Sequence, residues 1–501
     1  MDFSTLRALS AGNTWGAILP ELLMGCLALL LLVLEVALPK GAHPRIPAFS
    51  IAGQAVILAI LLATIHVPHQ DTFNGLLAQS RSGQLFRVFF LLSSILVTVL
   101  ARVSLSRQSV PRVEFVHIVL VVSAAAMLLV QSRNFIMLFV ALETMTVGLY
   151  ILVSYYRSNS RTLEAGLKYL VTGALSSSLL LFGIVLLYGA AGSPHLPGRT
   201  SEAMQFAPLN AFLAANPGNF MAAGGIVLVL SGIAFKIGGF PFQIWVPDVY
   251  EGAPTPVTAL LAVPSKAAGF VVLLVLVQVF APYQWLVEPV LAAMAAGTII
   301  FGNLSALKQH NVKRLIGLSG VSHAGFMLLA VASVGAVPGA EGAVYFYLFA
   351  YLIASFAVFG VMTALAGADD TNQELGDYAG LGRRSPFLAG VLACGLGSLA
   401  GIPPFAGFMG KLFVFVAAFR AGHFGLLIIA ICGVAASIYY YFGWLRVAYF
   451  SDEADPAPTG APLATTENTD LMLRVALAAL AAASVILGFY QGPLGRLVSG
   501  T

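Results

Sequence analysis

The sequence predicts an all-α integral membrane protein of about 14 transmembrane helices, with two inverted five-helix repeats (helices 4–8 and 9–13) and with helices 7 and 12 discontinuous. Three observations lead there. Hydrophobic residues make up 59% of the 501-residue chain and charged residues only 9%, against roughly a quarter charged in an average soluble domain. The apolar residues fall in runs of about twenty, the length a helix needs to cross a hydrocarbon core about 30 Å thick while satisfying its backbone internally. Two of the runs are too long for one straight span, and the same residue pattern interrupts both.

In order, helices are expected near residues 17–38, 46–66, 83–104, 113–130, 134–155 and 162–190. They continue near 219–250, 256–280, 287–306, 312–332, 341–366, 386–421, 424–450 and 470–490. The first run, Ile18 to Leu38, is too long for a signal-peptide core and no small-residue cleavage site follows it, so it should stay as a membrane helix. Loops after odd-numbered helices carry most of the Lys and Arg, among them Lys40, Arg45, Arg102, Arg107, Arg157, Lys308, Lys313, Arg314, Arg383 and Arg384. The positive-inside rule then puts both termini on the non-cytoplasmic side. The Pro-containing stretch from Gly192 to Asn219 reads as an outside loop with room for one surface-lying helix. The chain divides into an N-terminal three-helix segment (1–112), a first repeat (113–280), a second, inverted repeat (281–450) and a C-terminal loop with the last helix (451–501).

The interruptions are Gly238, Gly239, Phe240, Pro241, Phe242 in the seventh helix and Gly401, Ile402, Pro403, Pro404, Phe405 in the twelfth, both G-x-x-P-F. Proline removes a backbone donor and clashes with the preceding turn, so each helix should break in mid-membrane. Unpaired backbone at that depth is tolerated only inside protein or along a wet cavity. Each break is fourth in a set of five, and since five is odd the sets enter the membrane from opposite sides. Paired broken helices in inverted repeats are the architecture of ion and solute transporters.

Four ionisable residues fall inside spans: Glu143 in the fifth, Lys236 just before the first break, Lys266 in the eighth and Lys411 just past the second break. A charge at the bilayer centre costs at least ~2.5 kcal/mol, which argues for a hydrated or paired interior. Desolvation disfavours the charged form and an opposite charge restores it. A lysine whose carboxylate partner approaches and withdraws is therefore a proton carrier; the bland alternative is a static Glu143–Lys236 ion pair serving assembly. His323, in the tenth span, could bridge Lys266 and Lys411, since imidazole exchanges protons near neutral pH; otherwise it is a hydrogen-bonded core residue. Lys168, four residues after Glu164, forms an interfacial i,i+4 pair with a candidate role in proton uptake. Glu21 and Glu35 flank the first span and are expected at its two interfaces, and Tyr439, Tyr440, Tyr441 and Trp444 read as packing or an interfacial aromatic belt. Cys26, Cys394 and Cys432 sit singly in apolar runs, which reads as core rather than metal or cluster ligation. There is no G-x-G-x-x-G after a strand and no P-loop, and the net charge of +4 is too dispersed for a nucleic-acid patch.

The stretch FKIGGFPFQIWVPDVYEGAPTPVTALLAVPSKAAGF, Phe235 to Phe270, is similar to the signature of the proton-conducting membrane subunits shared by respiratory complex I (NADH:quinone oxidoreductase) and the multisubunit sodium/proton antiporters. Its PDVYEGAPTPVTA part looks like the branch called subunit N. The likeness extends over most of the chain, through PELLMG at Pro20 to Gly25, LETM around Glu143, Lys313 to Gly325 (KRLIGLSGVSHAG) and GIPPFAGFMGK ending at Lys411. The resemblance implies that Glu143 and Lys236 are the family's Glu/Lys pair, Lys266 its linking residue and Lys411 its exit-side lysine. Gln243 stands where family members often carry a histidine, so that histidine's role is not implied here. The chain stops after the fourteenth span, without the lateral helix of longer relatives, which favours the N or M branch over L. The resemblance further implies a multi-pass protein of the bacterial inner membrane that binds no cofactor itself. NADH, flavin, iron–sulfur clusters and quinone would belong to partner subunits: small hydrophobic membrane subunits, another antiporter-like subunit and, indirectly, the peripheral redox arm. Three readings stay open: an energy-converting subunit of such a complex, an ion exchanger of the antiporter or membrane-bound hydrogenase kind, and a spacer with inert charges.

Overall fold

A computed structural model describes residues 13–65, 70–108, 110–367, 370–451 and 470–492. The chain ends, on which the sidedness of the termini rests, and most of the expected C-terminal loop lie outside the described residues. Six helices come first: α1 (Leu19–Ala37), α2 (Ile46–Ala63), α3 (Arg81–Ser106), α4 (Arg112–Leu129), α5 (Phe135–Val153) and α6 (Ser160–Ala191). A short α7 (Phe206–Ala215) lies in the loop expected to hold one surface helix. The seventh span is α8 (Phe220–Ile237) followed, after the break, by α9 (Val246–Gly252). Next come α10 (Thr255–Val279), α11 (Gln284–Ala306), α12 (Val312–Ala332) and α13 (Ala340–Leu365). The twelfth span is split into α14 (Pro386–Ala400) and α15 (Ala406–Arg420), and α16 (Phe424–Phe450) and α17 (Leu471–Phe489) complete the fourteen.

Local sequence sets these boundaries. Side chains of Asn134, Asn159, Asn219, Asn311 and Asp470 accept the first free amides of α5, α6, α8, α12 and α17, the usual N-cap chemistry. The two breaks are built alike. Gly238 (φ 71°) and Gly401 (φ 82°) end α8 and α14 in the left-handed region that glycine enters without steric cost. The amide of Gly239 bonds Ala234 O and that of Gly238 bonds Phe235 O, while Ile402 bonds Gly397 O and Gly401 bonds Ser398 O in the same pattern. Packing repeats as well: α4 lies on α5 and α6 on α8, as α11 lies on α12 and α13 on α14. α10, α12 and α13 form the interior, while α1, α2, α6, α16 and α17 present much of their surface outward. The last helix closes tightly on the second break, where a Cβ on Gly488 would stand 1.7 Å from Pro404 O.

Several expectations change. A hairpin, β1 (Gln70–Thr72) with β2 (Leu77–Gln79), fills the link between α2 and α3. Glu21, at the start of the first span, is also buried against protein: it takes Arg87 Nε at 2.7 Å, Arg87 Nη2 at 2.5 Å and Gln131 Nε2 at 2.8 Å. The cause is long-range, since only the folded chain brings α3 and the end of α4 to α1. Lys313, counted among loop cations, is also buried and bonds Asp370 Oδ2 at 2.6 Å. Tyr440, Tyr441 and Trp444 are interior while Tyr439 faces out, because successive helix positions point in different directions. Cys26 and Cys432 lie on the outer surface rather than in the core.

Candidate functional site

Lys236, Lys266, His323 and Lys411 are all buried, with 4%, 2%, 3% and 4% of their surface exposed. They form a row through the interior. Lys236 occupies the last turn of α8, where the free carbonyls give a helix its partial negative charge. Its Nζ donates to Thr146 Oγ1 at 2.7 Å. Thr146 lies one turn after Glu143 on α5, and Glu143 accepts from Ser177 Oγ of α6 at 2.6 Å. Among the described residues no Glu143–Lys236 contact reaches ion-pair distance, so the static pair is not formed. Glu143 is half-buried and borders an open groove of about 570 Å³ with His117, Phe139 and Val147. Its carboxylate is therefore held by Ser177, one helical turn along α5 from the threonine that takes Lys236.

α10 carries the row inward. A π-helical turn, Leu261–Ser265, widens the helix around Pro264 and ends at Lys266. Lys266 Nζ donates to Gly320 O of α12 at 2.6 Å and stands 5.9 Å from the Tyr351 ring centroid. His323 follows Gly320 by one turn, and its Nδ1 and Nε2 lie 2.7 Å from Tyr347 Oη and 3.0 Å from Tyr441 Oη. Lys411, on α15, reaches back across the second break. Its Nζ donates to Leu399 O at 2.9 Å and Ala400 O at 2.8 Å, the last carbonyls of α14. Leu399 precedes Gly401 by two residues, just as Lys236 precedes Gly238. Both lysines thus serve the C-terminal end of the half-helix before the break, one from its own last turn and the other from beyond it.

Lys168 is not part of the row. It is 44% exposed and pairs with Glu164 at 2.7 Å and Asp248 at 2.8 Å, while Arg314 bonds Asp248 at 3.0 Å and Glu251 at 2.7 Å. This network ties α6, α9 and α12 together at one end of the first broken helix; exposed pairs of this kind contribute about 0–1 kcal/mol each. Gln243 lies buried at the break with Oε1 unpaired among the described residues. Sequence reasoning missed Thr146, Ser177, Tyr347 and Tyr351. The one available signal was Tyr347 and Tyr351 at i,i+4 spacing in an otherwise apolar span, which places both on one face.

The architecture is that of an ion-translocating membrane subunit, and comparison with known proteins fixes its kind. Residues 132–437 match the family described as NADH:quinone oxidoreductase/Mrp antiporter, transmembrane. NADH-quinone oxidoreductase subunit N 1 of Opitutus terrae is 62% identical over 499 residues, 99% of each chain. Subunit N of Rhodospirillum rubrum is 34% identical over 445 residues, 88% of this chain and 89% of that one. A chain of respiratory complex I from Thermus thermophilus with bound aureothin superposes with a TM-score of 0.79 at 31% identity, covering 96% of this chain and all of that one. The chain belongs to this family of antiporter-like membrane subunits, and within it to the subunit N branch.

Proposed function

We propose that this chain moves protons across the membrane along Glu143, Lys236, Lys266, His323 and Lys411, driven by electron transfer from NADH to a quinone in partner subunits. One observation carries the reading: three buried ammonium groups have only neutral oxygens as hydrogen-bond partners among the described residues. A buried charge without a counter-charge is expensive, by several kcal/mol per ion, so each site can be filled or emptied by a modest change nearby. Glu143 supplies such a change at Lys236. Movement of its carboxylate toward the ammonium holds the proton there, and retreat to Ser177 releases it toward Lys266.

The half-channel at Lys236 opens to the cytoplasm and that at Lys411 to the outside, with both termini on the outer face of a bacterial inner membrane. The Lys and Arg distribution supports this orientation. Partners in this reading are small hydrophobic membrane subunits, another antiporter-like subunit and, through them, the redox arm. NADH, flavin, iron–sulfur clusters and quinone are assigned to those partners, and this chain contributes proton transfer alone. Full-length identity to subunit N favours this over a sodium/proton exchanger.

Lys236→Ala and Lys236→Arg in the assembled complex test the proposal. Alanine removes the carrier, and arginine, whose guanidinium is effectively always charged, holds its proton permanently. Both should nearly abolish NADH-driven acidification in proteoliposomes; wild-type pumping by either refutes the assignment.

A further inference from the structure

The amides of the first break are satisfied by the chain itself, with one exception. Gly238 N bonds Phe235 O, Gly239 N bonds Ala234 O and Phe242 N bonds Gly239 O, while Pro241 has no N–H. Phe240 N instead donates to Thr298 Oγ1 of α11 at 2.8 Å. The second break has no such donor. Counted from Gly238 and Gly401, Phe240 corresponds to Pro403, which carries no amide hydrogen. Thr298 is fully buried, and its hydroxyl donates to Met294 O at 2.5 Å, which leaves a lone pair for Phe240. Met294, Gly297 and Thr298 follow at i, i+3, i+4 spacing on one face of α11, and all three meet the break. A Cβ on Gly297 would stand 2.6 Å from Phe240 Cδ1, and Met294 Cε lies 3.5 Å from where a Cβ on Gly239 would be. α11 in turn is fixed to the second repeat. A Cβ on Gly302 would stand 2.6 Å from Ser322 N of α12, and Asn303 Nδ2 donates to Ser322 Oγ at 2.6 Å.

We propose that Thr298 is a positioning residue for Lys236: by holding the Phe240 amide it fixes the first break, and with it the last turn of α8 from which the lysine projects. The proposal rests on the role assigned to Lys236 above and adds a residue outside the charged row. The mechanical link is short. Lys236 stands four residues before Phe240, and the bonds from Gly238 and Gly239 back to Phe235 and Ala234 pin the break to the turn that carries the lysine. α10 closes on the same turn, since a Cβ on Gly269 would stand 2.7 Å from Ile237 Cγ2. The end of α8 is thus gripped between α10 and α11. Loss of the Thr298 hydroxyl leaves the Phe240 amide without its acceptor and frees the break to shift, which moves the ammonium relative to Thr146 and Glu143. The second break needs no such tie, because proline at the matching position leaves no amide to satisfy.

The test uses Thr298→Val, Thr298→Ser and Gly297→Ala in the complete complex, reconstituted in liposomes. Valine keeps the shape of threonine and removes the acceptor; serine restores the acceptor; alanine at position 297 keeps the hydroxyl and pushes on the Phe240 ring. Thr363→Val serves as control, since its equally buried hydroxyl bonds Phe359 O of its own helix. A misplacement of about 1 Å costs a reacting group on the order of a hundredfold, so Thr298→Val should lower the initial rate of NADH-driven acidification roughly tenfold or more. The pH profile of the remaining rate should be displaced from wild type, because the ammonium meets altered surroundings; loss of packing alone would lower the rate alike at every pH. Thr298→Ser should recover most of the rate and the wild-type profile, Gly297→Ala should behave like Thr298→Val, and Thr363→Val should pump normally. With Lys236→Ala inactive, a wild-type rate or an unmoved profile in Thr298→Val overturns the proposal, as does an equal loss in Thr298→Ser or Thr363→Val. Should Thr298→Val fail to assemble, the rate and profile of Gly297→Ala decide in the same way. Normal pumping by Lys236→Ala overturns the underlying reading as well.

Discussion

Lys411 offers a way to separate what a buried lysine does for the fold from what it does for protons. Its ammonium closes two hydrogen bonds to the end of α14, at 2.9 and 2.8 Å, across a break where the backbone cannot close them itself. Lys411→Met deletes both. A buried carbonyl left unpaired costs about 1–3 kcal/mol, so the variant should lose about 2–6 kcal/mol around the second break unless water takes the place of the ammonium. Lys411→Arg keeps donors at the same carbonyls and should assemble close to normally, yet its guanidinium does not release a proton. The two variants should therefore part company. Met should lower the thermal stability of the purified complex and stop pumping, while Arg should stop pumping with a much smaller loss of stability. A tenfold fall in rate, about 1.4 kcal/mol at the barrier, is the least that removal of an obligatory carrier should give. The assay is acidification in proteoliposomes beside thermal unfolding of the same preparation. An Arg variant that pumps at the wild-type rate would show that Lys411 only holds α14 and α15 together.

Glu143→Gln should weaken pumping and Glu143→Asp less so, because a carboxylate stays within reach of Ser177 and Thr146; equal rates for Gln and wild type would leave Glu143 a structural residue. Arg87→Ala should destabilise the N-terminal helices by about 3–5 kcal/mol, since it strands the Glu21 carboxylate in the interior with Gln131 as its remaining side-chain donor, and thermal unfolding of the complex measures it. Gly401→Ala adds a Cβ 2.7 Å from Lys411 Cδ at a residue with φ of 82°, whereas Gly422→Ala, at φ 80°, meets nothing within 4 Å. Both incur about 1–2 kcal/mol for the left-handed backbone, but only the first should also stop pumping, which paired stability and acidification measurements will show.

The spans were legible because a membrane imposes one simple demand, enough consecutive apolar residues, and the breaks because glycine and proline act on the backbone wherever they stand. Partners were harder to read. Lys236 bonds Thr146 rather than Glu143 because the facing of α5 against α8 decides which of two residues one turn apart meets the ammonium. Hydropathy says nothing about that rotation. The same holds for Glu21, whose burial depends on Arg87 reaching it from a helix that begins sixty residues later. The tyrosines around His323 come from α13 and α16, and no spacing along the chain joins them.

The two lysines at the breaks show how the repeat can conserve a site without conserving its sequence position. Counted from the break glycines, Lys236 corresponds to Leu399, and nothing in the second break corresponds in kind to Lys236. Yet the Lys411 ammonium binds the Leu399 carbonyl, so a positive group stands at the same end of the half-helix in both repeats. The physical cause is common to both. A helix that stops inside the membrane leaves its last carbonyls facing inward, and a cation placed there is stabilised by the helix dipole and by direct hydrogen bonds. A lysine side chain can arrive from either direction, provided the glycine leaves room, and Gly401 does so, with Lys411 Cδ only 2.7 Å from where a Cβ would stand. The break therefore does more than bend the chain. It creates an electrostatic seat for an ammonium that needs no carboxylate, and a proton on such an ammonium is held by groups that never change charge. Its release must then be triggered from outside the seat, which is the role proposed for Glu143 in the first repeat.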